Sequence, residues 1–589
     1  EPSSAAPAPA PLAEEGWRTA WRDPLAWLLV LLLTLLFATL KTYGLRPDLG
    51  DEGIYFYDAL ATAQGAIPYR DYPLAHPPLN ILLLAGLYLL FGPSVLLGKL
   101  LPPLCALGTG LLLLRLGRRH LGPALDRSRS TPGGSPAPAP GTGWIVGLGA
   151  LALYLTAFDL LRCSTHFTGA NLGTLLAVWA VERALARRPL QAGSLVGLAA
   201  LAGLYAAPAP ALAAFLLLLP ARRAVGRFVA ALAGVFAGAN LLCLVVAGRA
   251  FVDQVYLFHL AKPPHRGGNL PLWQALARDN LPLVGLGLCG LLLGIGVLLQ
   301  RGRRAPAART PAPPPPPASS SPPAPVSRPI AAAILALAGS AGVVLLLNRV
   351  FTYYFVPLYP WLALLGGLYL AWVAGLARES RRLPVQLATI GLALLLTLAA
   401  GWLGRLALDP HTADDIGKVK RYRFFAGTLF PGLDPLVRGA FWYDERRLDR
   451  HYFAPTRYLW HESRYSEALP TVAAEIVRRG APDDLLFGDS LSAPIVALLA
   501  GRRLAGDLAD TNRQHYLAGI RRAADDLERV DGPRLRWVVC RGRVAACGEP
   551  AVWSWLQGQF TLHRRYPDAR SGTSLLLFRR HDRPPPAAP

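Results

Sequence analysis

Charged residues are scarce in this chain of 589 residues, in which 16% are Asp, Glu, Lys or Arg and 53% are apolar. Apolar windows of about 18 residues or more recur along most of its length, and soluble domains do not carry such repeated windows. The composition therefore excludes a soluble globular protein and predicts a multi-pass membrane protein.

Cysteine is also rare, with six residues. No CxxC motif or His/Cys spacing typical of a structural zinc site is present. Gly-rich phosphate loops, Ser–His–Asp spacing and metalloprotease motifs are absent in any specific form. Cys540 and Cys547 are close enough in sequence for a disulfide, which an oxidising compartment would permit.

The net charge of +23 raises the question of nucleic-acid binding. However, the basic residues lie mostly in short loops between apolar runs and in the C-terminal region. The tendency of cytoplasmic loops to be positively charged explains much of this excess. We therefore predict a lipid bilayer as a partner and no nucleic acid.

Eleven segments are predicted to cross the membrane: 25–40, 94–116, 144–160, 168–185, 190–207, 208–220, 228–248, 281–300, 330–347, 356–376 and 385–404. The basic loops between them fall on one side if the N-terminus is cytoplasmic and Leu79–Phe91 does not cross. That segment is short for a span and fits a re-entrant or interfacial helix better. Pro208 and Pro210 leave two interpretations of 190–220, a hairpin or one kinked helix.

The chain divides into three regions. Residues 1–24 are predicted to be a disordered cytoplasmic N-terminus. Residues 25–404 form an all-α polytopic membrane bundle with an outer loop at 41–93 and Pro/Ala/Ser/Gly-rich cytoplasmic linkers at 117–143 and 301–329. Residues 405–589 form a soluble extracytoplasmic α/β domain.

Within the C-terminal domain, alternating short elements are predicted. Strands are expected at Asp484–Phe487, Arg536–Cys540 and Ser574–Phe578, and helices at Pro470–Arg479, near Ala493–Ala500 and at His515–Leu527. The sequence Gly488-Asp489-Ser490 indicates either a plain strand-to-helix turn or an anion site at a helix N-terminus.

The first outer loop carries the most informative residues. It reads Asp51-Glu52-Gly53-Ile54-Tyr55, then Gly65-Ala66-Ile67-Pro68-Tyr69-Arg70-Asp71, and finally His76-Pro77-Pro78-Leu79. A charge at mid-bilayer costs roughly 2.5–3.5 kcal/mol on insertion scales. The adjacent carboxylates are therefore expected at the water interface, where they can meet both a lipid headgroup and a dissolved acceptor.

These three stretches resemble the first outer loop of GT-C superfamily membrane glycosyltransferases, in the protein O-mannosyltransferase and aminoarabinose-transferase branch (glycosyltransferase family 39-like). In that branch the loop reads Asp-Glu, an aromatic residue, a Gly-x-x-Pro turn, and a closing His-Pro-Pro or Lys-Pro. The resemblance covers residues 48–92. It implies a GT-C-like fold and inverting transfer of a sugar from a polyprenyl-phosphate donor to a hydroxyl or amine of a lipid, glycan or protein.

The resemblance also implies roles for the two acids. The first acid of the pair is the general base in that family, which corresponds to Asp51. Glu52 is the second member of the predicted catalytic pair and is expected to position its neighbours. The alternative is that both acids cap a helix that begins near Ile54.

Cationic and aromatic residues in the outer loops are candidates for binding the donor phosphate or the sugar. His76 stands where some relatives carry lysine, and Arg349 with the following tyrosines resembles a late Arg/aromatic–Tyr–x–x–Pro loop. The alternatives are interfacial snorkelling for the cations and a headgroup belt for the tyrosines. The predicted substrate-binding residues are Arg70, Asp71, His76, Arg162, His166, His259, Lys262, His265, Arg266, Arg349, Tyr353 and Tyr354.

The sequence departs from these relatives in the second outer loop. Relatives usually carry a second acid there, whereas this chain has Asn171 near that position and Asp159 about one helix-depth away. A divalent metal held between two outer loops is therefore not favoured, although it is possible. We predict that no cofactor is required.

Two other functions make different demands on the sequence. A non-enzymatic transporter or flippase of lipid-linked glycans would place ionisable groups within the spans, whereas this chain keeps them almost entirely in loops. A membrane-anchored binding protein would leave the Asp51 loop unexplained. The enzyme is expected in a bacterial inner membrane, with its C-terminal domain outside the cytoplasm.

Overall fold

The computed structural model describes residues 23–42, 50–129, 141–164, 166–264, 268–304, 327–379, 466, 468–568 and 573–581. In these residues a bundle of helices is followed by a C-terminal α/β domain, which confirms the predicted fold class. The predicted span 385–404 lies outside the described residues, as does the predicted start of the C-terminal domain.

The bundle contains seventeen α-helices in the described part of the chain. They are α1 Pro24–Thr42, α2 Glu52–Ala63, α3 Leu79–Phe91, α4 Val95–Leu116, α5 Gly122–Arg129, α6 Thr142–Leu155, α7 Phe158–Cys163, α8 Ala170–Leu185, α9 Pro189–Ala202, α10 Pro208–Leu218, α11 Arg222–Ala247, α12 Arg249–Val252, α13 Phe258–Ala261, α14 Leu270–Asp279, α15 Leu281–Arg304, α16 Arg328–Leu346 and α17 Tyr359–Glu379. Turns of 3₁₀-helix cover Leu204–Ala206 and Thr352–Leu358, and π-helical turns cover Gly117–Leu121 and Asp253–Leu257.

Five stretches among the described residues are long and apolar enough to cross a membrane: Val95–Asp126, Arg222–Ala247, Leu281–Gln300, Arg328–Leu346 and Thr352–Ala377. Five shorter apolar helices accompany them: Pro24–Ala38, Leu79–Phe91, Thr142–Leu155, Pro189–Ala202 and Leu204–Leu218. Leu79–Phe91 thus has the bounds expected from the sequence, and it is too short to cross a bilayer of ordinary thickness upright.

Glycines allow the central helices to approach closely. A Cβ atom on Gly290 of α15 would lie 1.9 Å from the carbonyl oxygen of Leu365 in α17. One on Gly367 of α17 would lie 2.3 Å from the carbonyl oxygen of Val146 in α6. Small residues at helix contacts are typical of membrane bundles, where close packing rather than water exclusion drives association.

The first predicted linker, 117–143, differs from expectation because its beginning is helical. The chain continues from α4 through a π-helical turn into α5, which ends at Arg129. Leu121, Ala124 and Leu125 are fully buried in the core of the bundle. Burial of these three apolar side chains stabilises a helix that the Pro- and Ser-rich composition did not predict.

Residues 190–220 form a hairpin. Gly193 of α9 lies against Phe228 of α11, and Gly197, one turn further along α9, lies against Val235, further along α11. Helices α9 and α11 therefore run in the same direction. The intervening α10 has to run back, and the chain reverses at residues 203–207.

The C-terminal domain contains five helices and five strands among the described residues. They are α18 Ala468–Arg479, β1 Leu485–Gly488, α19 Ala493–Ala500, β2 Arg503–Leu504, α20 Arg513–Leu517, α21 Ala523–Val530, β3 Leu535–Arg541, α22 Pro550–Gln559, β4 Phe560–Asp568 and β5 Thr573–Arg580. The sheet order is β2-β1-β3-β5-β4, with β1 parallel to β2 and β3, and with β5 antiparallel to its neighbours β3 and β4.

The three predicted strands are present, and the helices expected at Pro470–Arg479 and Ala493–Ala500 are confirmed. The single helix predicted over His515–Leu527 is wrong, because the chain forms α20 and α21 instead. Gly519 lies between them with φ +68°, a left-handed conformation that ends a helix. The edge strand β4 was missed because its sequence is rich in arginine.

Cys540 and Cys547 form a disulfide, which confirms the predicted pairing. The bridge joins the end of β3 to the short 3₁₀ turn that follows it, with 6.1 Å between the two Cα atoms.

The turn after β1 is held by its own acid rather than left open for an anion. The Asp489 carboxylate accepts hydrogen bonds from Leu491 N (3.0 Å), Ser492 Oγ (2.6 Å) and Arg541 N (2.6 Å). These contacts favour the plain strand-to-helix turn over an anion site at this position.

The C-terminal domain packs directly on α2 of the outer loop. Tyr57 Oη donates to Asp507 Oδ1 (2.9 Å) and accepts from Leu504 N (2.7 Å). Gly53 lies so close to Ile495 that an added Cβ atom would be 3.2 Å from its backbone nitrogen. The helix that begins next to Asp51 is therefore fixed relative to both the bundle and the C-terminal domain.

Candidate active site

Asp51 occupies the N-cap position of α2, with helical backbone angles (φ −60°, ψ −16°). Its carboxylate makes no capping hydrogen bond, so the structure does not support side-chain capping, the alternative to a chemical role. The side chain is half-buried. It also lies at the positive end of the α2 dipole, which stabilises a negative charge there.

Glu52 is buried and joined to three other parts of the bundle. Its carboxylate forms an ion pair with Lys99 of α4, and its Oε1 accepts a hydrogen bond from Phe167 N (3.0 Å). His166 Nδ1 lies 3.9 Å from the same oxygen. These contacts fix α2 against α4 and the second outer loop, as expected of a positioning residue.

Lys99 was missed by sequence reasoning, although a lysine near the start of an apolar span is a signal for a buried partner. Lys41 at the end of α1 is likewise buried and donates to the carbonyl oxygen of Leu161. The expectation that ionisable groups stay almost entirely in loops is thus too simple. These groups lie near helix ends and are paired or hydrogen-bonded.

Lys262 is a cation on which the charge of Asp51 acts. The charge of Asp51 acts on Lys262 and also on Tyr353 and Tyr354. Burial lowers the pKa of Lys262 to about 8, although the charges of Asp510 and Asp51 oppose that shift. The ammonium group is therefore mostly protonated at pH 7, and it can bind a phosphate.

The two histidines beside Lys262 are neutral. The rings of His76 and His259 are 5.3 Å apart. Burial, together with neighbouring cations, lowers the pKa of His259 to about 4 and that of His76 well below its usual value. His259 Nε2 is 2.6 Å from the carbonyl oxygen of Ala75, so it carries the proton, and Nδ1 accepts from Lys262 Nζ (3.3 Å).

Aromatic rings from three segments meet in the same region. Tyr353 and Tyr354 contact each other with their ring centroids 4.8 Å apart, and Tyr354 contacts Tyr205 at 4.5 Å. Tyr55, one turn after Asp51 on α2, packs edge-to-face on His76 at 5.5 Å. These rings provide a surface of the kind that packs against a sugar or an isoprenoid.

Tyr205 was not predicted as a site residue. It lies at the tip of the α9–α10 hairpin, and its hydroxyl is buried with no hydrogen-bond partner among the described residues. The sequence signal for its position was Pro208, which interrupts the apolar run 190–220. A hairpin, unlike a kinked helix, places residues 203–207 at the same level as Tyr354.

Arg349 connects the loop after α13 with the C-terminal domain. Its Nη1 lies 3.4 Å from the carbonyl oxygen of Pro263 and 3.3 Å from Gln514 Oε1. The guanidinium group also lies 5.5 Å from the ring centroid of Phe351. Arg349 therefore belongs to the wall of the site and helps to fix the position of the Lys262 loop.

Two crystal structures of ArnT from Cupriavidus metallidurans are similar to this chain over nearly its whole length. The one bound to undecaprenyl phosphate matches with a TM-score of 0.55 and 15% identity, covering 95% of this chain and 98% of ArnT. The apo structure matches with a TM-score of 0.55 and 17% identity, covering 96% and 98%. This chain has the ArnT fold. No family model and no curated protein matches the sequence.

The ArnT-like fold is the one that the outer-loop resemblance implied. Since the identity to ArnT is low, the likeness shows the fold alone. Within the described residues, the predicted site residues that come together around Asp51 or line its surroundings are Glu52, His76, His166, His259, Lys262, Arg349, Tyr353 and Tyr354.

Arg70 and Asp71 are placed differently from expectation. They form an exposed bidentate pair, with both hydrogen bonds at 2.9 Å, and Asp71 Oδ2 accepts from Ile67 N (2.8 Å). Arg529 of the C-terminal domain donates to the backbone oxygen of Asp71. The pair closes a turn at the domain contact, and we assign it no part in substrate binding.

Arg162 lies in α7, but its side chain is outside the described residues, as are His265 and Arg266.

The polar residues of the second outer loop have internal partners: Asp159 Oδ2 accepts from Asn280 Nδ2 (2.9 Å), and Asn171 Nδ2 donates to the carbonyl oxygen of Cys163 (3.0 Å).

No group of three or more His, Cys, Asp or Glu side chains suited to a metal ion occurs in the part of the chain that the structure describes. The groups that meet near Asp51 are instead a charged lysine, two neutral histidines and two tyrosines. This set suits an anionic ligand with an apolar or sugar-like body.

Proposed function

We propose that this chain is an inverting glycosyltransferase that moves a sugar from a polyprenyl-phosphate donor to an acceptor. The observation that carries the proposal is the placement of the half-buried Asp51 within electrostatic range of Lys262, at a helix N-terminus fixed by Glu52. The ArnT fold, whose solved structures include one with undecaprenyl phosphate, supports this class of donor.

In the proposed reaction, a hydroxyl or amine of the acceptor attacks the anomeric carbon while the bond to the phosphate oxygen breaks. The acceptor proton passes to the Asp51 carboxylate, and the polyprenyl phosphate leaves with the bonding electron pair. An ordinary aspartate is a weak base near pH 7. Because the departing polyprenyl phosphate, a phosphate monoester, is a good leaving group, late proton transfer is sufficient.

Lys262 stabilises the leaving phosphate by its charge, and the neutral His259 orients the lysine through its Nδ1 atom. The tyrosine surface of Tyr205, Tyr353 and Tyr354 packs against the sugar or the first isoprene units. No metal or other cofactor is assigned a step, since the cation required at the phosphate is supplied by the chain.

The acceptor is a lipid, glycan or protein that carries a hydroxyl or an amine, and the transferred unit is a hexose or a pentose. We place the protein in a bacterial inner membrane, with the N-terminus in the cytoplasm. The C-terminal domain then lies on the outer side with Asp51. The disulfide of that domain supports this orientation, because such bonds persist outside the reducing cytoplasm.

The experiment is transfer by the purified protein in lipid, with a panel of radiolabelled polyprenyl-phosphate sugars. Asp51→Asn keeps the shape of the side chain and removes the base, so we expect transfer to fall by about 10²- to 10⁴-fold. Asp253→Asn serves as the matched control. Asp253 is a partly exposed acid that pairs with the exposed Arg249, so this variant should retain the wild-type rate.

Transfer by a correctly folded Asp51→Asn variant at the wild-type rate would remove Asp51 from the base role. Tight donor binding by the wild type without transfer in any acceptor mixture would instead favour the second candidate, a transporter or flippase of lipid-linked glycans. The buried lysines Lys41 and Lys99 of the bundle are the observation that favours that candidate.

A further inference from the structure

The C-terminal domain places a buried acid–imidazole pair beside the candidate site. Asp510 Oδ2 lies 2.8 Å from His515 Nε2, and Asp510 Oδ1 accepts a hydrogen bond from Asn512 N (3.0 Å). Arg521 donates to the backbone oxygen of Asp510 (2.5 Å). Burial favours the neutral acid, but the charges of His515 and Arg521 outweigh it and hold the pKa of Asp510 well below its usual value.

One aromatic ring connects this pair with the cation of the site. The His515 ring stacks on Phe258 with 4.1 Å between the centroids and an angle of 13° between the planes. Lys262 Nζ lies 4.4 Å from the centroid of the same Phe258 ring. The acid–imidazole pair and Lys262 therefore contact a common group, although more than 240 residues separate them in the sequence.

The segment that carries the pair is held to the bundle at both ends. Before Asp510, Asp507 accepts the hydrogen bond from Tyr57 of α2. After it, Gln514 accepts from Arg349 (3.3 Å). The position of the Asp510 carboxylate relative to the outer loops is therefore fixed by contacts on either side of it.

We propose that Asp510 and His515 complete the phosphate-binding end of the active site from the C-terminal domain. Asp510 is a positioning residue: its charge stabilises the Lys262 ammonium, and its hydrogen bond orients the His515 ring. His515 Nδ1, which is buried with no hydrogen-bond partner among the described residues, is the atom that meets the donor phosphate. The ligand in this inference rests on the proposed function.

This arrangement also supplies a second carboxylate, that of Asp510, to the side of the site that holds Lys262. The charged groups that act on Lys262 are Asp510, Asp51 and Arg349, and His259 accepts its hydrogen bond. Of the three charges, Asp510 contributes most. Loss of the Asp510 charge should therefore lower the pKa of Lys262 below about 8.

The first test measures Lys262 without any ligand. The reactivity of Lys262 toward acetic anhydride is followed by mass spectrometry from about pH 6 to pH 10 in the full-length protein. We expect a midpoint near 8 in the wild type, a lower midpoint in Asp510→Asn, and recovery in Asp510→Glu. Asp525→Asn, an exposed acid of the same domain, should leave the midpoint unchanged.

The second test measures binding of undecaprenyl phosphate in nanodiscs over the same pH range. Asp510→Asn should bind as well as the wild type at low pH, where Lys262 is protonated in both proteins. At pH 8 it should bind about three- to tenfold more weakly, because a smaller fraction of the lysine is charged. His515→Phe should keep the Lys262 midpoint and weaken binding at every pH.

The outcomes separate this inference from the proposed function. Identical labelling midpoints in the wild type and Asp510→Asn would overturn the inference, even if transfer is observed. A shifted midpoint with no binding of undecaprenyl phosphate by the wild type would retain the Asp510–Lys262 interaction and overturn the phosphate ligand. If Asp510→Asn does not fold, binding of undecaprenyl phosphate is compared between Lys262→Gln and the double variant Lys262→Gln/His515→Phe. The inference requires weaker binding in the double variant, and equal binding would overturn it.

Discussion

At the scale of single residues, the buried Glu52–Lys99 pair is the contact that fixes the start of α2. Both side chains are almost fully excluded from solvent, with 1% exposure for Glu52 and none for Lys99. A buried pair of this kind adds little net stability, but it becomes costly when one partner is removed. Its value here lies in placing Asp51, one residue before Glu52.

We expect Glu52→Gln to destabilise the protein by about 3–5 kcal/mol, because the Lys99 ammonium loses its carboxylate partner. Adding Lys99→Met should recover most of that loss, since no charge then stays buried. Thermal unfolding of the two single variants and the double variant measures the coupling.

The double variant also separates positioning from chemistry. A folded Glu52→Gln/Lys99→Met protein that still transfers sugar would show that Glu52 acts only through its contacts. A folded double variant without transfer would give Glu52 a direct part in the reaction.

Individual candidate residues could be named from the sequence where a local motif marked them, and their roles stay predictions. Asp51, Glu52 and His76 stand in a recognisable loop, and Lys262 stands in a cluster of cations beside an apolar run. Asp510 has no such signal. It is one of many acids in its domain, and only its proximity to the Lys262 segment, more than 240 residues away in the sequence, distinguishes it.

At the scale of elements, the α9–α10 hairpin brings a residue to the site that neither helix would bring alone. Its tip carries Tyr205, whose ring contacts Tyr354 and whose hydroxyl is buried without a partner in the described residues. A buried hydroxyl without a hydrogen bond lowers stability. Because the Tyr205 ring contacts Tyr354, a substrate bound at the tyrosines would supply the missing hydrogen-bond partner.

We expect Tyr205→Phe to leave the unfolding temperature unchanged or slightly raised, and to raise the KM for the donor about tenfold through loss of a hydrogen bond. Tyr88→Phe is the matched control, since Tyr88 in α3 also has a buried hydroxyl without a partner there. Equal KM values for the two variants would contradict a substrate contact at Tyr205.

Element bounds followed from apolar periodicity where an element has one clear face. The strands β1 and β3 and helix α19 were predicted nearly to the residue. The helix α5 was hidden by its Ser- and Arg-rich sequence, and β4 by the basic residues of an edge strand. In both cases tertiary burial of a few apolar side chains, which local sequence does not show, decides the structure.

At the scale of the whole molecule, the contact between α2 and the C-terminal domain determines whether the site is complete. Gly53 is central to that contact because an added Cβ atom would lie only 3.2 Å from the backbone nitrogen and Cβ of Ile495, closer than ordinary van der Waals contact, so a larger side chain would push the two apart. Composition and periodicity predicted both units of the fold, but neither can show that they dock on each other.

We expect Gly53→Val to displace the C-terminal domain and to lower transfer by at least tenfold, because Asp510 would move away from Lys262. Transfer and thermal unfolding in lipid measure the effect. Gly86→Ala in α3 is the control, since the added Cβ atom meets nothing within 4 Å and should stabilise the helix by up to about 1 kcal/mol. Full activity in Gly53→Val would show that docking is not required.

The short helices of the hairpin have a consequence for the surrounding lipid. Helix α9 has 14 residues and α10 has 11, so at 1.5 Å per residue they are only about 21 and 16 Å long. The hydrocarbon core of a bilayer is about 30 Å thick. Leu212 and Leu216 of α10 are exposed on this side of the molecule. Hydrophobic mismatch at this edge would thin the bilayer locally. A long isoprenoid could then bend toward Tyr205 while its phosphate passes through less hydrocarbon than in a bilayer of ordinary thickness.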